Sequence, residues 1–159
     1  MGDLLYRNRF RVPSSRLAGW DYRRSGVYAV TICVRNRVQC LSEISEGTVA
    51  LTPVGEVVAA AWREIPEVHP RVSLDEWIVM PDHLHGILFF DRHEASTPAP
   101  SLGIVIGQFK KRSTKRIWSM RQPGFAWQER YDDQILPNAR ALEKYRSYIR
   151  RNPHEYSGL

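Results

Sequence analysis

His83 and His85 stand on either side of Leu84 in the run Val79-Met80-Pro81-Asp82-His83-Leu84-His85-Gly86-Ile87-Leu88. A strand alternates its side chains, so the two imidazoles fall on one face and Leu84 on the other. Two imidazoles side by side suit a divalent cation. Near the C-terminus Tyr148 and Asn152 lie four residues apart, neighbours on a helix surface. On that helix alone, packing and capping account for both: a tyrosine with its hydroxyl at a rim, and an asparagine closing the helix before Pro153. Combined with the histidine pair, they describe phosphoryl transfer. Two imidazoles and an amide oxygen leave positions open on Mg²⁺ or Mn²⁺ for phosphate oxygens. A phenol beside them is a nucleophile aimed at phosphorus, and a phosphotyrosine would keep the bond energy for rejoining.

These residues need a sheet and a helix to hold them. Val27–Val34 is apolar on both faces and predicts an interior strand. Strand-like patterns also cover Val72–Met80 and His83–Phe90, with Pro81-Asp82 making either a bend in one strand or the turn of a hairpin. Thr52-Pro53 opens a helix that Pro66 should stop. A second helix begins near Ser101, with Leu102, Val105, Ile106, Phe109 and Ile117 on its buried side. A short strand is predicted from Trp127 to Ile135. Asn138 caps a last helix, predicted to run to about Arg151 and to end before Pro153. Its apolar stripe is Leu142, Tyr145 and Ile149, with Tyr148 on the shoulder. The mixture lacks a βαβ rhythm and predicts an α+β fold, one antiparallel sheet with helices on it.

The chain has 159 residues, 43% hydrophobic and 25% charged, as expected of one globular domain. Its net charge of +6 points to a polyanionic partner. Residues 1–25 form an arginine-rich arm (Arg7, Arg9, Arg11, Arg16, Arg23, Arg24), and 26–159 the folded domain. Lys110, Lys111, Arg112, Lys115 and Arg116 give the second helix a basic face suited to phosphates, although such runs are commonly just solvated. Phe125, Trp127 and Tyr131 fit a core better than a stacking platform for bases. Cys33 and Cys40 lack zinc spacing and read as structural. His69 and His93 read as incidental surface histidines, and Glu56, Glu64 and Glu143 as solubilising charges. No run resembles a signal peptide or a bilayer span, so a cytoplasmic, reduced setting is expected.

Four ordered blocks carry a more specific signal: Gly26–Cys33, Leu74–Ile87, Trp127–Asp133 and Tyr148–Pro153. In them the chain resembles the REP-associated tyrosine transposases, within the single-tyrosine HUH transposases of bacterial insertion sequences. The resemblance implies a ferredoxin-like HUH fold that cleaves and rejoins single-stranded DNA at hairpin (REP-like) repeats through a 5′-phosphotyrosine, with Mg²⁺ or Mn²⁺. It implies His83, His85 and Asn152 as metal ligands and Tyr148 as nucleophile; related enzymes use Gln at the position of Asn152. Tyr145 is a nucleophile by type but falls outside the family's Tyr-Ile-x-x-Asn-Pro pattern. Asp82 stands where the family commonly has Asn, and its side chain is expected to face away from the metal with little consequence. Little chain follows Pro153, so an autoregulatory tail is not expected. Insertion-sequence relatives act as dimers that exchange the tyrosine helix and the REP-associated group as monomers, which leaves monomer and homodimer both open. A catalytically idle DNA-binding regulator is the competing reading; an RNA-binding module lacks its glycine-aromatic string.

Overall fold

Gly26–Cys33 alternates onto two buried faces and forms β1, a central strand. The computed structural model describes residues 26–91 and 100–156; the arm 1–25 and His93 lie outside the described residues. After β1 come a 3₁₀ turn (Arg35–Arg37), the hairpin β2 (Ser42–Ser45) and β3 (Thr48–Leu51), then α1 (Pro53–Arg63) and α2 (Ile65–Val68). The chain continues through β4 (Val72–Val79), β5 (His83–Phe90), α3 (Leu102–Trp118), β6 (Asp132–Ile135) and α4 (Ala139–Tyr156). The main sheet has the order β4-β5-β1-β6, and each neighbouring pair is antiparallel. The α+β reading therefore holds, and β4 and β5 are a hairpin rather than one bent strand. Met80 N–H donates to the His83 carbonyl at 2.7 Å to close its turn.

Helix starts follow their caps. The hydroxyl of Thr52 accepts from Gly55 N–H at 3.0 Å, that of Ser101 from Ile104 N–H at 3.2 Å, and the amide oxygen of Asn138 from Ala141 N–H at 2.9 Å. Helix ends depart from expectation. The first helix stops at Arg63, and Pro66 lies in the first turn of α2, where its missing N–H costs nothing. The last helix runs through Pro153 to Tyr156. A proline there removes one backbone bond, and tertiary contacts hold the final turn instead. Gln39 donates to the Tyr156 hydroxyl at 2.8 Å, and the His154 ring sits where a Cβ on Gly47 would have to go.

The sheet separates two apolar clusters. On one face Tyr28, Val30, Ile32, Leu84 and Leu88 pack with Trp62 of α1 and with Val105, Ile106 and Phe109 of α3. On the other, Ala29 and Ile87 pack with Tyr145 and Ile149 of α4. Gly86 is forced by the first cluster: any Cβ there would collide with the fully buried Trp62 ring. Strand alternation puts His83 and His85 on the face covered by α4.

Candidate active site

The histidine pair lies at the end of β5, opposite Cys33 and Thr31 of β1 respectively. Their Nε2 atoms face one another at 3.0 Å, and both residues are buried. Each Nδ1 is engaged from behind. His83 Nδ1 is 2.7 Å from an Asp82 carboxylate oxygen, and His85 Nδ1 is 2.9 Å from the Thr31 hydroxyl. Burial acts to raise the Asp82 pKa, but hydrogen bonds from His83 and Arg37 outweigh it and hold the carboxyl below its usual range. An ionised carboxylate only accepts, so it places the His83 proton on Nδ1 and leaves the Nε2 lone pair toward His85. Thr31 can donate or accept. With its proton on Nε2, His85 donates to His83; with it on Nδ1, His85 donates to Thr31, and two lone pairs converge.

Asp82 thus faces the histidine pair instead of pointing away from it. Its carboxylate orients His83 while its second oxygen receives Arg37 Nε at 3.1 Å. The expectation failed because Asp82 belongs to the β4–β5 turn, where strand alternation no longer fixes side-chain direction. Arg37 (φ 53°) and Asn36 (φ 59°) both occupy the left-handed region. Such residues cost roughly 1–3 kcal/mol each and persist where surrounding contacts demand them. Here the tight turn, closed by Arg37 N–H to the Val34 carbonyl at 2.9 Å, brings the guanidinium to Asp82. Sequence reading missed Thr31 and Arg37, which reveal themselves only through pairing and turn geometry.

Helix α4 brings Tyr148 to this face. Its ring centroid is 5.4 Å from that of His85 in an edge-on arrangement, and 5.6 Å from that of Tyr145. Tyr145 is 2% exposed, a core residue, whereas Tyr148 is half-buried. Asn152 is buried one turn further along. Two pairs anchor α4 to β4: Arg146 grips Asp75 with two bonds of 2.7 and 2.8 Å, and Arg150 meets Glu76 at 3.2 Å.

The donor set fits a divalent cation. Two nitrogens about 2.1 Å from one ion and at right angles would be about 3.0 Å apart, the spacing found here. Among the described residues no group of three or more His, Cys, Asp or Glu is placed to hold a metal. The two Nε2 atoms are therefore the donors this face would offer a cation, leaving its other positions to oxygen ligands.

The basic face of α3 is divided. Arg112 and Arg116 turn toward α1, where Arg116 makes bonds of 2.8 and 3.0 Å to Glu64 and Arg112 donates to the Ala61 carbonyl at 3.1 Å. Lys110 donates to the Gln128 and Glu129 carbonyls at 2.7 and 3.3 Å. Lys111 and Lys115 are exposed. Glu64 and Glu143 join ion pairs rather than merely solubilising the surface. His69 is buried, not superficial; burial and then the Arg112 charge lower its pKa. Phe125 and Trp127 belong to the core, as expected.

No family model matches the chain. A protein of Haemophilus influenzae described only as uncharacterized is 27% identical over 158 residues, spanning 88% of this chain and 87% of its own length. Among solved structures, a REP-associated tyrosine transposase bound to a REP hairpin superposes with a TM-score of 0.66 at 19% identity, over 91% of this chain and 76% of its own. The chain has the fold of a REP-associated tyrosine transposase. A putative transposase from Deinococcus radiodurans R1 shares the HUH transposase fold at a TM-score of 0.54 and 19% identity, over 84% of this chain and 94% of its own. The fold implied by the four sequence blocks is thus met in three dimensions.

Proposed function

We propose that this protein is a transposase that cleaves and rejoins single-stranded DNA at hairpin repeats through a 5′-phosphotyrosine. The carrying observation is the convergence, within one chain, of two Nε2 atoms 3.0 Å apart and the Tyr148 ring against His85. Similarity to a transposase holding a REP hairpin supports the substrate class. Convergence within one chain suits a monomer acting in cis.

Tyr148 Oη attacks a backbone phosphorus, its proton passing to solvent. The bond from phosphorus to the 3′-oxygen breaks, and that oxygen takes up a proton as a free hydroxyl. The 5′ side stays on the protein as a phosphodiester, which an incoming 3′-hydroxyl attacks to restore the phenol. Bound Mg²⁺ or Mn²⁺ would supply Lewis-acid polarisation of the phosphate and neutralise its charge. His83, His85 and Asn152 would hold it. Asp82, Arg37 and Thr31 fix the imidazoles so that no reorientation is needed on binding. Core packing of Tyr145 and Ile149 sets the angle at which Tyr148 meets the site.

The arm 1–25 supplies further phosphate contacts in this reading, and action on DNA places the protein in the cytoplasm. Among the described residues no helix is long and apolar enough to cross a membrane. The test is incubation of the full chain with labelled hairpin DNA and Mn²⁺ or Mg²⁺, then a denaturing gel. A covalent protein–DNA adduct that chelation abolishes supports the proposal. Binding without any adduct, on hairpins from both flanks of the gene, would leave only a DNA-binding protein.

A further inference from the structure

An open groove of about 710 Å³ runs between α3 and the segment 126–129, and the chemistry proposed above does not use it. Gly107, Lys111, Thr114, Lys115 and Trp118 form its helical wall. A Cβ on Gly107 would meet nothing within 4 Å, so the floor is open at that point. Trp118 is 52% exposed, among the few large apolar side chains left at the surface of the described residues. It is not loose: its Nε1 donates to the Phe125 carbonyl at 2.9 Å. Lys110, over the Tyr131 ring and bonded to the Gln128 and Glu129 carbonyls, ties the opposite wall to α3. Lys111 and Lys115 stand on the same wall as Trp118, and no ion pair among the described residues engages either. A fixed exposed indole beside unspent cations suits a base on the ring and phosphates on the lysines. Glu129 is the one carboxylate on the lining.

The groove also has a direction. Gln128 N–H donates to the Cys33 carbonyl at 2.8 Å, and Arg35 N–H to the Ala126 carbonyl at 2.9 Å. Cys33 is the strand partner of His83. One wall is therefore bonded to the strand end that borders the histidine pair. We infer that this groove binds the unpaired strand that leads to the cleaved phosphate, stacking a base on Trp118 and pairing phosphates with Lys111 and Lys115. A duplex stem presents its bases stacked inside and could use the lysines but not the indole. The inference rests on the proposed single-strand activity and deepens it by assigning the seat of the unpaired segment.

The test compares the full-length protein with Trp118→Ala, Trp118→Phe and the double variant Lys111→Gln/Lys115→Gln. Anisotropy with labelled oligothymidylate, which forms no hairpin, reports the groove; a hairpin lacking flanking nucleotides reports the stem; adduct formation on a flanked hairpin reports the chemistry. Trp118→Ala should weaken oligothymidylate binding about tenfold, Trp118→Phe should restore most of it, and stem binding should stay within twofold. Restoration by Phe separates stacking from the lost hydrogen bond to Phe125, which Phe cannot make. The lysine variant should reduce the salt slope by about 1.4, at about 0.7 per phosphate on a single strand. Equal affinity of Trp118→Ala and wild type for oligothymidylate, failure of Phe to restore it, or an effect confined to the stem would each overturn the inference. Absence of oligothymidylate binding by the wild type would do the same. Adduct formation by the wild type in any of those cases would show that the proposed chemistry survives; intact groove binding without an adduct would show the converse.

Discussion

Leu84 and His85 are adjacent in β5 and face opposite worlds. Leu84 enters the cluster with Trp62 and Phe109, where apolar contact does all the work. His85, equally buried, meets Thr31, His83 and the edge of Tyr148. One face of the sheet is apolar throughout here; the other sets, beside its own apolar cluster, a buried pair of imidazoles held by hydrogen bonds. Buried polar groups need partners to be tolerable, and here each Nδ1 has one. A single step along one strand thus separates an apolar environment from a hydrogen-bonded one.

That separation can be broken experimentally. The largest effect is expected from His85→Ala, which should abolish most adduct formation by removing a cation ligand, at a cost of about 1–3 kcal/mol in stability as Thr31 and His83 lose their partner. Equal loss of folding would show that the pair is structural. Asp82→Ala should follow, at about 10- to 100-fold in adduct rate or in the Mn²⁺ concentration required; a change under twofold would restore the view that Asp82 is incidental. Leu84→Ala sharpens the contrast from the other side. It should cost about 2–5 kcal/mol of unfolding free energy, while the rate per folded molecule at low temperature stays close to wild type.

The smallest effect concerns the clamp on α4. The Arg146 hydrogen bond holds the Asp75 pKa below its ordinary value, outweighing the opposing effect of burial. A carboxyl depressed by folding contributes stability that is full above its unfolded value, near 4, and is lost as pH falls through the folded value. Asp75→Asn should therefore reduce stability at pH 7 and reduce the difference between wild type and variant below about pH 4. A difference independent of pH would assign the effect to packing.

Period and cap chemistry carried much of this architecture into view. The histidine pair was legible because strand alternation is strict, α3 because its apolar residues recur at helical spacing, and α4 because Asn138 caps it. The hairpin Ser42–Leu51 is not legible in the sequence, although Glu46 and Gly47, both at positive φ (52° and 76°), make the kind of turn that joins short strands. Its strands are too short for periodicity to show. Pro153 misled because local backbone chemistry predicts a stop, whereas Gln39 and Gly47 anchor the last turn from far away in sequence. Asp82, Arg37 and Thr31 were illegible as a set for the same reason: their meeting depends on strand register and a left-handed turn. Trp118 is not distinguishable by type from the core residues Leu102, Val105, Ile106, Phe109 and Ile117 of the same helix; its exposure is a property of the fold.

In the reaction proposed above, Tyr148 alone supplies the nucleophilic oxygen. The direct measurement is covalent trapping of labelled flanked hairpin DNA with Mn²⁺ by wild type, Tyr148→Phe and Tyr145→Phe, followed by mapping of the linked residue by mass spectrometry. Tyr148→Phe should bind DNA normally and form no adduct, with the wild-type adduct mapping to Tyr148. Tyr145→Phe should retain adduct formation. An adduct that persists in Tyr148→Phe, or one that maps to Tyr145, would contradict the account.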